Sequence, residues 1–224
     1  TFVSSVVGQL AAQPGVRAAA AVAPLPFNPD AGGSCSFGII GRPLAPNDPG
    51  PHSQLTLATP EYLRAMQIPL LAGRWFNGSD IASSEHVAVI DQRLAKKYWP
   101  GESPLGQHIS FQCGDRASPA VIVGVVGTVR LSSLEEDTSD GMRYYPFAQG
   151  TSGNADFLVR VDGDPSRMTS AIQRAVEAVD GSQAVATMVP VETLVTDSLA
   201  GRRLIVRMLA VFAGLALLLA IVGI

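Results

Sequence analysis

Three histidines, two cysteines, a loop run of four acids and several glycine-bearing tetrapeptides are where this 224-residue chain carries residue types suited to chemistry. A zinc site needs at least three converging nitrogen or sulfur ligands. His52, His86 and His108 fall on separate loop or strand-edge positions with no HExxH spacing, so they read as surface residues. Glu135, Glu136, Asp137 and Asp140 offer oxygen ligands to a hard cation, but their spacing does not match a calcium loop and reads as a solvated face. Gly33-Ser34-Cys35-Ser36 lacks the second glycine of a nucleophile elbow. Gly124-Val125-Val126-Gly127 lies inside a hydrophobic strand, where glycine signals close packing or a bulge rather than a dinucleotide turn. No GxxxxGK[ST] is present to cradle nucleotide phosphates. Asp162-Gly163-Asp164 reads as a turn plus helix cap, and Asn77-Gly78-Ser79 as a three-residue match to a glycosylation sequon, a weak signal. Cys35 and Cys113 stand far apart without ligand spacing. Outside the cytosol they suit a disulfide and inside it two ordinary thiols, so the spacing leaves the bridge open.

The elements that would position these residues follow from apolar periodicity and its punctuation. Phe2, Val3, Val6, Val7 and Leu10 recur at helical spacing and predict a helix over 2–12, stopped by Pro14-Gly15. Strands are expected over 16–23, 36–40 and 54–58. Thr59 is expected to cap the next helix, with Pro60 at its first position. Leu70-Leu71 reads as an apolar turn. A strand over 87–90 feeds a short helix capped by Asp91, with Leu94, Ala95 and Tyr98 inward. Strands at 107–112 and 121–129 follow, the second so rich in Val and Ile that both faces should be buried. An acidic loop then leads to an extended 143–147. A strand at 157–161, a helix over 165–179 capped by Asp164, and a strand at 183–189 complete the pattern. The helix–glycine–strand order occurs near both ends, which predicts two related α/β halves packed together around an inserted middle segment.

With 47% hydrophobic and 16% charged residues the chain can build a real core, and a net charge of −3 gives no basic face for nucleic acid. Thr1 is not a start methionine and no signal peptide precedes the first helix, so the chain reads as part of a longer protein. Residues 208–224, MLAVFAGLALLLAIVGI, carry no charge and no polar face. As a helix they would reach about 25 Å, close to the hydrocarbon thickness of a bilayer. A membrane span beginning near residue 204 and cut short is therefore expected, fed by a helix from Glu192 that no proline interrupts; the alternative is a fully buried helix of a soluble protein.

The motifs in order resemble one family. They are Leu10-Ala-Ala-Gln-Pro-Gly-Val-Arg17, Thr59-Pro-Glu-Tyr-Leu63, Ile68-Pro-Leu-Leu-Ala-Gly-Arg-Trp-Phe76 and Val87-Ala-Val-Ile90. Then come Leu94-Ala95, Trp99-Pro-Gly-Glu-Ser-Pro-Leu-Gly106, Ile122-Val-Gly-Val-Val126, Tyr145-Pro-Phe-Ala-Gln149, Leu158-Val-Arg160, Arg202-Arg203 and the apolar run from Phe212 to Gly223. This series is similar to the MacB-like periplasmic core domain of FtsX/MacB-type ABC transporter permeases, including the acidobacterial duplicated orphan permease group. The resemblance covers essentially the whole chain.

What the resemblance implies is an α+β fold: a porter-like α/β subdomain from 1–74 and 151–200, an inserted mixed α/β lobe at 75–150, and a truncated transmembrane helix at 204–224. It implies a domain in the periplasm of a bacterial inner-membrane permease, coupling membrane-helix motion to export or mechanotransmission. Expected partners are the membrane, a second copy or duplicated permease half, an ATPase subunit and a periplasmic adaptor protein. ATP would be used by a separate ATPase domain or subunit, and no catalytic, metal or cofactor residue is expected here. Gly73, Arg74, Pro104, Leu105, Gly106 and Pro146 are the family-motif structural positions. Gly73 is expected where a side chain has no room, Arg74 against carbonyls or an acid, and Leu105 beneath the strand ending at Phe111. Arg202, Arg203 and Arg207 before the span would by charge alone put the domain on the cytoplasmic side; the resemblance implies the opposite, and arginines snorkel to either interface. The alternative readings are a membrane-anchored extracytoplasmic binding module and an anchored hydrolase.

Overall fold

The computed structural model describes residues 2–25, 34–44, 48, 50–111, 119–129, 141–150, 152–181, 188–194, 196, 208 and 212–213. In chain order the elements are α1 (Phe2–Ala11), β1 (Val16–Ala23), β2 (Cys35–Ile39), β3 (His52–Ala58), α2 (Tyr62–Met66) and β4 (Leu70–Gly73). They continue with β5 (Val87–Asp91), α3 (Gln92–Tyr98), β6 (His108–Phe111), β7 (Pro119–Val126), β8 (Met142–Pro146), β9 (Asp156–Val161) and α4 (Thr169–Glu177). The fold is mixed α/β.

The strands form one nine-stranded sheet in the order β2-β6-β7-β5-β8-β3-β1-β9, with β4 added on β7. Because β2 also pairs with β3, the six strands β2-β6-β7-β5-β8-β3 close into a ring. Two strands are forked. β3 pairs along one edge with β8, and its other edge is shared by β2 at Ser53 and β1 at Ala58. On β7, β5 takes one edge while β6 and β4 divide the other. β2 and β4 come from the first 74 residues yet pair with β6 and β7 of the middle segment.

The chain ends form a layered unit on the free side of β3. β9 runs antiparallel along β1, with Ala19 opposite Val159 and Ala21 opposite Phe157. Ala19 and Ala21 pack under Val6, Val7 and Leu10 of α1 and Ala175 and Val176 of α4. On the opposite face Ala18, Ala20 and Val22 pack under Tyr62 and Ala65 of α2. A strand covered by helices on both faces tolerates only small side chains if the helices are to sit close, and that is why β1 is four alanines in a row.

All six ring strands contribute to a second core. It includes Phe37, Ile39, Ile90, Ile109, Ile122 and Tyr145, closed by Leu94 of α3 and by Trp99. Asp91 caps α3, its carboxylate accepting from the Leu94 N–H at 2.9 Å. Asp164 caps the short 3-10 turn Pro165–Met168 that precedes α4, accepting from Ser166 N at 2.9 Å, so the single helix read over 165–179 is two pieces. Two local expectations are corrected. Thr59 does not cap α2: its hydroxyl accepts from Ala21 N at 3.0 Å, joining β3 to β1, and Glu61 stands at the cap position without a side-chain bond. Leu70-Leu71 is not a turn but part of β4, because β7 offers an unfilled length of edge beyond β6.

The expected strand at 183–189 and the helix and span from 192 onward fall largely outside the described residues. Within 204–224 only Met208, Phe212 and Ala213 are described, each helical. Among the described residues no helix is long and apolar enough to cross a membrane.

Candidate functional site

The motif positions gather where β4 crosses β7. Gly73 adopts φ +71°, and a Cβ placed there would meet the Val123 carbonyl oxygen at 2.2 Å and Leu105 Cδ2 at 2.9 Å. Across the strand pair a Cβ on Gly124 would meet the Arg74 carbonyl oxygen at 2.1 Å. Each glycine thus exists for the other strand's backbone, and Arg74 N donates to Val123 O at 2.9 Å. A Cβ on Gly127 would meet the Pro69 side chain, Cγ at 2.9 Å. The β5–β7 register also slips beside Gly124, between Ala88 opposite Ile122 and Val89 opposite Gly124, so that glycine serves close packing and a bulge together.

Arg74 leaves this crossing in a fork. Its two terminal nitrogens each donate to Asp80 at 2.8 Å, and Nη1 also donates to the Trp75 carbonyl at 3.1 Å. Asp80 is buried and accepts from Asn77 N at 2.9 Å; the Arg74 guanidinium holds its carboxyl below the ordinary aspartate value. The Asn77-Gly78-Ser79 sequon forms the turn that delivers Asp80, with Asn77 Oδ1 accepting from Ser79 N at 2.8 Å.

Pro104, Leu105 and Gly106 make a turn in which Gly106, at φ +80°, donates its N–H to Ile122 O at 2.9 Å. Leu105 is half-buried, packed into the ring core and against the Gly73 site. Pro146 ends β8 opposite Ala58 of β3. Three residues on, Gln149 fastens the 81–87 segment: its Oε1 accepts from Val87 N at 3.1 Å, and its Nε2 donates to Glu85 O at 2.9 Å and to Ser84 Oγ at 3.0 Å.

Between the ring and α2 lies an aromatic cluster. Trp75 stacks near Phe76 (4.2 Å between centroids) and meets Tyr144 edge-on at 5.5 Å, while Tyr62 of α2 lies 6.0 Å from Tyr144. Burial raises the phenol pKa of Tyr62 and Tyr144, so both stay neutral hydroxyls. Asp91, also buried, has its carboxyl pKa raised by desolvation.

Among the described residues the candidates for chemistry do not converge. His52 Nδ1 lies 2.8 Å from Gly50 O, and the His86 carbonyl accepts from Val121 N. Asp162 pairs with Arg17 while Asp164 is spent on its cap. Among the described residues no group of three or more metal-ligating side chains exists. Glu135, Glu136, Asp137 and Asp140 lie outside the described residues. Cys35 is disulfide-bonded; Cys113 lies outside the described residues. Sequence reading missed Asp80, Gln149 and Arg143. The signal for Arg143 was a charge in the middle of the otherwise apolar and aromatic strand Met142–Pro146.

The polar groups of this junction thus join strands and loops to one another, and the fold they brace is a mixed α/β domain organised around a closed ring. The chain belongs to the MacB-like periplasmic core domain family, whose model matches residues 4–194. It is similar in fold to the periplasmic region of MacB from Actinobacillus actinomycetemcomitans, at 16% identity and TM-score 0.53, over 81% of this chain and 75% of that one. It is similar also to the extracellular domain of the noncanonic ABC-type transporter YknZ from Gram-positive bacteria, at 19% identity and TM-score 0.50, over 80% of this chain and 84% of that one. A domain of a putative permease protein from Porphyromonas gingivalis matches at 17% identity and TM-score 0.52, over 81% of this chain and 71% of that one. No curated protein sequence matches the chain. The domain is therefore of the periplasmic type found in MacB-like ABC transporter permeases.

Proposed function

We propose that this domain is the periplasmic transmission element of an inner-membrane ABC-type permease, carrying membrane-helix motion into export or mechanical work. A separate ATPase supplies the energy, and a second copy or duplicated half and a periplasmic adaptor complete the machine. The observation that carries the reading is the continuous sheet. The chain-end layer of β1 and β9 is hydrogen-bonded into the ring through β3, so displacement of the ends reaches the ring through strand pairing rather than through a linker. A connection through paired strands suits transmission better than ligand capture.

The compartment is supported by the bridged state of Cys35, since disulfides persist in oxidising compartments. We propose Cys113 as its partner. It is the one other cysteine in the sequence. Mass spectrometry of the unreduced protein should find a peptide linking the two, and Cys113→Ser should abolish it; a link persisting in that variant would overturn the pairing.

The deciding experiment lengthens the connection to the membrane. Flexible Gly-Ser residues inserted at Gly201 of the whole permease should uncouple transport from ATP turnover while the domain keeps its fold. Equal transport by the insertion variant and the parent would sink the transmission reading and favour a passively anchored binding module.

A further inference from the structure

Arg143 is fully buried inside the ring, and its neighbours among the described residues are neutral. Its Nε donates to the Ser53 hydroxyl, its Nη2 to the Cys35 carbonyl at 3.1 Å, and its Nη1 reaches the Tyr145 hydroxyl at 3.4 Å. The guanidinium also lies over the Phe37 ring, 4.4 Å from its centroid. Burying a cation without an acid is costly, and a long apolar residue would fill the same space without that cost. The placement explains what is gained. Cys35 and Ser53 are register partners across the β2–β3 seam, where among the described residues two register pairs and the Phe37 N–H to Pro51 carbonyl bond at 2.8 Å close the ring. The β5–β8 junction is equally short, with two pairs, and Arg143 is the β8 member of one of them, opposite Ile90. Its backbone therefore belongs to one short junction while its side chain grips both strands of the other.

We propose that Arg143 is an internal latch that holds the ring closed at the β2–β3 seam, which makes that seam the place where the ring opens. The seam suits such a device, because β3 carries β2 and β1 on the same edge. A pull on the chain-end layer through β1 acts on the strand that the latch holds, a few residues from the closing pairs. The inference stands on ring geometry and does not depend on the transport reading.

The test is hydrogen–deuterium exchange on the whole permease in nanodiscs, comparing the parent with Arg143→Met, which keeps length and removes the donors. We expect amides of residues 35–39 and 52–55 to exchange at least tenfold faster while those of β1 and β9 are unchanged. Unchanged exchange at the seam, or equal acceleration in every strand, would overturn the proposal, the second because it marks a merely structural residue. Should Arg143→Met fail to fold, Ser53→Ala decides. It removes one of the two grips, and about threefold acceleration confined to the seam supports the latch, whereas no change refutes it.

Discussion

The chain-end layer and the ring are parts of one sheet, yet they reach stability by opposite use of side-chain size. β1 lies between helices on both faces and is built from Ala18 to Ala21, so the helices approach a nearly smooth strand. The ring closes on its own interior, which must be filled from its own strands, and it takes Phe37, Ile39, Ile90, Ile109, Ile122 and Tyr145 for that purpose. Close approach of backbones occurs in both regions by different means. In the layer it is helix against strand over alanine. At the edge of the ring it is strand against strand over Gly73 and Gly124, where even a methyl group has no room. The layer therefore tolerates little added volume over a broad face, while the ring edge tolerates none at two points.

The sharpest contrast is Gly124→Val. The new Cβ would fall 2.1 Å from the Arg74 carbonyl oxygen, so β4 must leave β7. A loss of about 4 kcal/mol or more in denaturant unfolding is expected, in the range reserved for backbone clashes in a core. A loss below about 1 kcal/mol would show that β4 is only loosely attached. In the layer, Ala20→Leu adds volume beneath α2 at a position with no exposure, and overpacking should cost about 1–3 kcal/mol in the same assay. If its cost matched that of Gly124→Val, the distinction between the two kinds of contact would fail.

Two buried aspartates sharpen the comparison through pH. Asp80 is paired with Arg74 and its carboxyl pKa is depressed. Its contribution is present above the ordinary aspartate pKa of about 4 and is lost as pH falls through the lower folded value. Because Arg74 is partly exposed, Asp80→Asn should cost about 1–2 kcal/mol at pH 7, and the gap from the parent should narrow in acid. Asp91 runs the other way. Burial raises its folded pKa, so the folded state binds the proton more tightly and stability declines as pH rises from about 4 through the folded value. Asparagine also caps helices, so Asp91→Asn should equal the parent in acid and match or exceed it at pH 7. Urea midpoints measured from pH 3 to 8 decide both, and parallel profiles for the two variants would contradict the opposite signs.

The smallest effect is expected at the outer surface of the layer. A Cβ on Gly8 of α1 meets nothing within 4 Å, so Gly8→Ala should stabilise by about 0.5–1 kcal/mol through helix propensity alone. A destabilising result would mean that α1 is covered by something beyond this domain, which the thermal midpoint of the whole protein would reveal against the isolated domain.

Local rules carried far in this chain. The stripe Val6, Val7, Leu10 specified α1, the Asp91 and Asp164 caps were legible from residue type and position, and the β-branched run announced β7 as a strand, although burial on both faces holds only from Gly124 to Val126, since Val121 and Val123 are half-buried. The order of motifs was enough to identify the family, because each is a local packing requirement preserved as a short string. Tertiary structure decided the rest. Thr59 had the right chemistry for a helix cap, but β1 lies within reach and takes its hydroxyl. Leu70-Leu71 had no strand signal of its own and became β4 because the outer edge of β7 was left open beyond β6. The closure of β2 onto β3, and with it the role of Arg143, joins residues 35, 53 and 143. Periodicity and capping report only on neighbours within a few positions, whereas strand pairing is chosen among all edges the folded chain presents, so the ring and its latch appear only when the whole sheet is assembled.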